Sequence, residues 1–103
     1  MKLEFLPMFY EDLECCVLYI ADKLENPLAA NQLINDIEKA IETRLPMADK
    51  FPVFNSSKDR RIPYRYIRVK GYVIYYVVLE NKNEKVMEVR RLLHSSQNRN
   101  SIL

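Results

Sequence analysis

The chain has 103 residues, 49% hydrophobic and 29% charged, which suffices for one domain with a modest core. It holds one glycine and two adjacent cysteines, Cys15 and Cys16, which excludes a low-complexity chain, a disulfide framework and a zinc site of the usual spacing. There is no signal-peptide pattern and no run near the roughly 20 apolar residues that span a membrane. We therefore expect one cytoplasmic domain, 1–103, without cofactor, metal, small-molecule ligand or membrane partner.

Charge is divided unevenly along the chain. Residues 1–57 hold 5 Lys or Arg and 10 Asp or Glu, a net charge of −5, whereas residues 58–103 hold 11 and 4, a net charge of +7. A half this basic indicates either an anionic partner or mutual neutralisation of the two halves in the fold. Charge alone leaves both interpretations open.

The chain opens with the pattern of a strand and a helix. Residues 2–6 are short and apolar enough for a strand, and Pro7 suits the first turn of a helix, where its missing N–H costs nothing. Apolar side chains then recur at helical spacing over residues 9–24, with charged residues between them.

A second helix follows almost at once. Asn26 is a favoured N-cap and Pro27 a favoured first helical residue, and an apolar stripe at helical spacing runs over residues 30–45. So short a connection predicts an antiparallel helical hairpin. Pro46 is expected at or just after the end of the second helix, and residues 46–59 are expected to form a loop.

In the second half the apolar period changes from helical to two. This predicts strands at residues 60–69, 72–79 and 85–93, the first with an irregularity near Tyr66. The middle strand is a run of β-branched and aromatic residues, which is typical of a central strand buried on both faces.

Turns and termini complete the pattern. Gly71 lies between two predicted strands, where a tight turn commonly needs a positive φ. Residues 95–103 are polar and are expected to be a loose tail or a short helix that folds on a partner. The resulting order, β-α-α-β-β-β, predicts an α+β fold in which a helical hairpin packs on a mainly antiparallel sheet.

Three passages in this order resemble the RelE/ParE toxin superfamily. The first runs from Phe5-Leu6-Pro7 through an Asp-Leu pair, a Tyr-Ile pair and the Asn-Pro-x-Ala-Ala helix start, ending at Ala30. The second is the Arg-containing strand, turn and Tyr-rich strand from Tyr64 to Tyr76. The third is the closing strand from Val89 to His94, of the form Arg-x-Leu-His.

The resemblance implies the toxin of a type II toxin–antitoxin system, a growth inhibitor of the kind linked to plasmid stabilisation and neutralised by a cognate antitoxin. RelE-like members cut messenger RNA in the ribosomal A site, whereas ParE-like members poison DNA gyrase. Both targets carry anionic nucleic acid, which agrees with the basic second half. Whether the chain is an enzyme depends on which mechanism it follows.

The resemblance also implies candidate catalytic residues. Arg65 and Arg91 match strand arginines that could clamp a phosphate, and His94 matches the position of a general acid in some nucleases. However, Val73 stands where RelE-like nucleases carry an arginine, and no Tyr or Phe follows His94. These departures favour a ParE-like or unassigned target.

Four further arginines are predicted to bind nucleic acid, the ribosome or an acidic antitoxin segment: Arg60, Arg61, Arg68 and Arg90. Three hypotheses therefore remain. The first is a gyrase-directed toxin that acts by binding, the second is a ribosome-dependent messenger RNA endonuclease, and the third is a non-toxic nucleic-acid or protein-binding module.

Overall fold

A computed structural model of the chain describes residues 1–53 and 62–103, and it confirms the predicted α+β order. The elements are β1 (Lys2–Phe5), α1 (Pro7–Leu18), α2 (Pro27–Arg44), β2 (Arg65–Val69), β3 (Tyr72–Glu80), β4 (Lys85–His94) and α3 (Arg99–Ile102). Within the described ranges, no helix has both the length and the hydropathy that crossing a bilayer requires.

The four strands form one sheet in the order β1-β4-β3-β2. The β2–β3 and β3–β4 pairs are antiparallel, whereas β1 runs parallel to β4, so the sheet is mainly antiparallel as predicted. The first strand of the chain therefore pairs with the last, and β2 and β1 are the two outer strands.

The helix boundaries follow the sequence signals closely. The Asn26 side chain accepts a hydrogen bond from the backbone N–H of Ala29, and Pro27 begins α2, which confirms the predicted N-cap. A π-helical turn, Tyr19–Lys23, follows α1. A 3₁₀ segment, Leu45–Lys50, follows α2, so the expectation of a loop from residue 46 is wrong over its first residues.

Both helices pack on one face of the sheet. The core between them holds the buried side chains of α1, α2 and the helix-facing positions of the strands: Phe9, Leu33, Ile37, Ile41, Ile67, Ile74, Tyr76, Met87 and Val89. Phe5 and Leu13 are partly buried against this core. The helical stripes therefore became the helix–sheet interface, as expected for amphipathic helices.

The opposite face of the sheet has a smaller core, closed by the carboxy-terminal residues. Leu103 is buried there with strand side chains, namely Tyr64, Val73, Tyr75, Val77 and Leu93. Thus β3 is buried on both faces, as predicted. Within residues 95–103, Arg99–Ile102 form a short helix, which is one of the two expected alternatives, and the loose tail is wrong. Ile102 and Leu103 pack on the chain's own sheet.

Two backbone features shape the strands. The turn between β2 and β3 has two residues, Lys70 and Gly71, both at positive φ (44° and 81°), which is the pairing that favours a tight right-twisted hairpin. The expectation of an irregularity near Tyr66 is wrong, because β2 keeps an unbroken register with β3. It lies in β4 instead, where Arg90 is an extra residue between the positions that pair with β3.

Candidate functional site

The predicted arginines of β2 lie on opposite faces of the sheet, because side chains alternate along a strand. Arg65 lies on the helix side. Its Nε donates to the carbonyl of Phe51 at 2.9 Å, and its Nη2 lies 3.4 Å from the carbonyl of Asp49. Arg65 therefore holds the segment after the 3₁₀ turn against β2. Arg60 and Arg61 lie outside the described residues.

Arg91 forms a two-pronged ion pair with Asp12 of α1. Its Nε and Nη2 donate to the two carboxylate oxygens at 2.7 and 3.0 Å, and Asp12 also accepts from the backbone N–H of Leu92 at 3.0 Å. The hydrogen bond to Asp12 raises the pKa of Arg91 further above its ordinary value. The bulge at Arg90 places Arg91 where it can reach this carboxylate.

Asp12 closes part of an open strand edge. β1 pairs with β4 only up to Val89, so the rest of β4 presents unpaired backbone groups on that side. The Asp12 carboxylate accepts a hydrogen bond from the N–H of Leu92, and the side-chain oxygen of Gln97 accepts one from the N–H of His94 at 2.6 Å. Side chains thus satisfy the backbone donors that β1 leaves uncovered.

Arg90 is on the sheet face opposite the helices. Its Nε lies 2.7 Å from Glu88 Oε1, and its guanidinium carbon lies 5.7 Å from the centre of the Tyr64 ring. Both contacts are partly shielded from water, so part of this charge is already neutralised within the fold.

His94 is exposed at the end of β4. Its Nδ1 lies 2.6 Å from Ser96 Oγ and accepts the backbone N–H of Ser96 at 3.1 Å. The edge of its ring meets Tyr72, with the centroids 5.3 Å apart. These contacts fix Nδ1 as an acceptor for the Ser96 amide, which leaves Nε2 as the nitrogen that can carry the proton of the neutral ring.

The three candidate catalytic residues have separate surroundings. In the strand register Arg65 faces Tyr76 and Arg91 faces Tyr75, two strands apart, which corresponds to about 10 Å. His94 is three residues further along β4, about another 10 Å. No described hydrogen bond or ion pair links any two of them.

A different group of residues does come together on the face opposite the helices. A polar hollow of about 330 Å³, which we call the basic hollow, lies beside the end of β4 and the carboxy-terminal residues. It is lined by Arg68, Val73, Tyr75, His94, Ser95, Gln97, Asn98 and Arg99. It joins two predicted residues, Arg68 and His94, with Arg99, which sequence reasoning missed. The apolar end of the tail, Ile102 and Leu103, was the signal that these residues dock on the sheet.

Sequence reasoning also missed Arg44, at the end of α2. Its Nη1 donates to the carbonyl of Tyr66 at 2.9 Å and to the Tyr76 hydroxyl at 3.0 Å, and its guanidinium stacks 3.4 Å over the ring of Phe51. Arg44 thus joins α2 to β2 and to the segment after the 3₁₀ turn. In the described part of the chain, no three His, Cys, Asp or Glu residues are grouped as a metal site.

Similarity to known proteins agrees with this architecture. A family model described as the ParE toxin of the type II toxin–antitoxin system parDE matches residues 3–99. Among solved structures, a chain of the chromosomal ParDE TA system from P. aeruginosa is similar, with a TM-score of 0.67 and 14% identity over 91% of this chain and 95% of that chain. At that identity the likeness concerns the fold. No curated protein gives a significant match.

Proposed function

Since the chain belongs to the ParE toxin family of type II toxin–antitoxin systems, we propose that it inhibits growth by binding DNA gyrase and that a cognate antitoxin neutralises it. In this proposal it acts in the cytoplasm as a single domain. The basic second half, which includes Arg68 and Arg99, supplies the charge for an anionic target.

The observation that carries the choice of mechanism is the separation of the candidate catalytic side chains. Cleavage of RNA needs a base for the 2′-hydroxyl, charge on the phosphate and a proton for the leaving oxygen within one site. Arg65 is instead hydrogen-bonded to the backbone carbonyls of Phe51 and Asp49, and Arg91 forms an ion pair with Asp12. This arrangement favours a toxin that acts by binding.

A ribosome-dependent endonuclease is the second candidate, because the basic hollow places His94 beside Arg68 and Arg99. A histidine with a free Nε2 next to two arginines has the chemistry to donate a proton to a leaving oxygen and to neutralise a phosphate. A non-toxic binding module is the third, and it predicts no growth arrest.

The test is induction of the chain in a bacterial host, with parallel measurement of growth, gyrase-linked DNA breaks and messenger RNA cleavage. His94→Ala is the discriminating variant, since His94 is exposed and its loss leaves the core intact. Lys82→Ala, in the exposed β3–β4 turn, is the matched control.

We expect growth arrest with DNA breaks, unchanged toxicity in both variants, and rescue by the product of the adjacent small gene. Messenger RNA cut in the A site, and a loss of roughly 10²–10⁴-fold in cleavage for His94→Ala alone, would support the nuclease instead. Absence of both growth arrest and antitoxin binding would leave the binding module.

A further inference from the structure

An apolar hollow on the helix side of the sheet lies where α1 and α2 leave a gap beside β1. Its volume is about 250 Å³, and we call it the interhelical pocket. Its floor holds three side chains that are at most 3% exposed: Phe9, Ile37 and Ile41. All of its lining residues fall within residues 3–42. The pocket therefore belongs to the β1 side of the sheet, whereas the segment after the 3₁₀ turn is bound at β2, beyond β4 and β3.

An aromatic cluster forms one wall of the interhelical pocket. The rings of Phe5, Phe9 and Tyr10 contact one another, with centroids 5.4, 5.6 and 5.8 Å apart. Phe9 is buried and Tyr10 is 54% exposed, so the cluster extends from the floor of the pocket to its mouth. Because the faces of aromatic rings carry partial negative charge, such a wall suits a cation as well as apolar groups.

The mouth of the interhelical pocket is negatively charged. Among the described residues that line it, the charged ones are both acids, Glu38 and Glu42. They are exposed, lie one turn apart on α2, and have neither an ion-pair nor a hydrogen-bond partner in the described part of the chain. Lys39, the neighbour of Glu38 in sequence, lines a different hollow on the other side of α2. Like charges at this spacing repel each other, and a cation bound between them would offset that repulsion.

We infer that the interhelical pocket binds a small organic cation with an apolar body, of the class of arylalkyl-ammonium ions. The apolar body fills the floor, and the ammonium group lies at the mouth between Glu38 and Glu42, beside the Tyr10 ring. A volume of about 250 Å³ is just below the usual range of about 300–1,000 Å³ for ligand pockets, so the ligand is smaller than a drug-sized compound. A neutral ligand would leave both carboxylates unpaired, and an anion would be repelled by them.

This inference goes beyond the proposed function and does not depend on the gyrase or the antitoxin. It also departs from the expectation, drawn from the composition, that the chain takes no small-molecule ligand. That expectation missed the pocket because its lining comes from three elements that only the fold brings together.

Titration of the full chain, followed by two-dimensional NMR, tests the charge and the apolar body separately. The probes are phenethylammonium, its neutral analogue phenethyl alcohol, and tetramethylammonium, which carries the charge with little apolar body. We expect phenethylammonium to bind with a Kd on the order of 1 mM, and each of the other two to bind about 10-fold more weakly. The shifted signals should centre on side chains of the pocket, such as Leu13, Ile34 and Ile37.

Matched variants locate the site and isolate the carboxylates. Glu38→Gln combined with Glu42→Gln removes both charges and nearly preserves the shape, and it should weaken phenethylammonium binding about 10-fold while leaving phenethyl alcohol unchanged. Glu80→Gln combined with Glu84→Gln, the same change of two exposed acids by the β3–β4 turn, is the control and should leave both probes unchanged.

A pocket-filling variant, Ile34→Phe, tests the apolar body. It should weaken both probes at an unchanged urea midpoint, since Ile34 lines the pocket and is only partly buried.

Each opposite result would overturn the inference. Equal affinity for phenethylammonium and phenethyl alcohol would mean that the carboxylates contribute nothing. Equal affinity of the two double variants, or shifts centred on Arg44 and Phe51 in the neighbouring hollow, would place the binding elsewhere. Absence of any shift with phenethylammonium at about 10 mM would mean that the pocket takes no such ligand. None of these results bears on growth arrest or on neutralisation by the antitoxin.

Discussion

Replacing Asp12 by alanine removes three hydrogen bonds from the outer edge of β4 in one step. Its carboxylate accepts from Arg91 Nε at 2.7 Å, from Arg91 Nη2 at 3.0 Å and from the Leu92 N–H at 3.0 Å. A hydrogen bond to a charged group contributes about 1.5–3 kcal/mol. The side chains of Asp12 and Arg91 are 13% and 22% exposed, so water replaces part of what is lost. We therefore expect the free energy of unfolding to fall by about 2–3 kcal/mol, well below the sum of three intact bonds.

Urea unfolding followed by circular dichroism measures this loss of unfolding free energy. In thermal unfolding of a domain of this size, the same loss should lower Tm by about 8–15 °C. Asp12→Asn should lie between wild type and Asp12→Ala, because its oxygen can still accept the Leu92 N–H although the charge is gone. Glu14→Ala is the matched control, since Glu14 is an exposed acid in the same helix, and it should stay within about 0.5 kcal/mol of wild type.

A double-mutant cycle with Arg91→Ala isolates the ion pair from the edge contact. We expect a coupling free energy of about 1–2 kcal/mol between the two positions. Equal stability of Asp12→Ala and Glu14→Ala would refute the reasoning, because the carboxylate would then contribute no more than any surface acid.

Three further perturbations test other contacts. Gly71→Ala should lower the free energy of unfolding, measured in urea, by about 1–2 kcal/mol, because Gly71 has a φ of +81° that alanine adopts only with strain. No atom lies near the added Cβ, so backbone strain is the whole effect, and Gly71→Asn should lower it less because asparagine tolerates a positive φ. The hydrogen bond from Lys85 lowers the pKa of Asp49 below its ordinary value of 3.8. The ion pair therefore stabilises the fold above pH 3.8, and this stabilisation is lost as the pH falls further and Asp49 is protonated. The urea midpoint of the wild type should fall more steeply below about pH 4 than that of Asp49→Asn. Burial raises the pKa of the Cys16 thiol to about 11, so iodoacetamide at pH 8 should label the exposed Cys15 well before Cys16, and equal rates would contradict this.

The helices and strands were predictable because each buries a face, and burial leaves a period in the sequence. Asn26 and Gly71 marked a helix start and a turn by local chemistry that needs no tertiary partner. The bulge at Arg90 left no such mark. It depends on how β4 aligns with β3, which the composition of β4 alone does not determine.

The site was less predictable than the fold, because its contacts join residues far apart in the chain. Arg91 and His94 were identified from their place in a motif, but nothing local indicated that Arg91 pairs with Asp12 across 79 positions. Arg44 is a basic residue in the last turn of a helix, which ordinarily indicates only a favourable interaction with the helix dipole. Arg99 sits in a polar tail whose docking depends on Leu103.

The parallel pairing of β1 with β4 has a consequence for the chain during its synthesis. Lys2 pairs with Val86, so β1 has no partner strand until most of the chain has been made. At 5–20 residues per second the intervening residues take roughly 4–17 s to synthesise. During that interval the helix face that packs on β4 has no sheet to cover it. We therefore expect the sheet to form only after the last strand has emerged, and the uncovered helix face to favour aggregation until then.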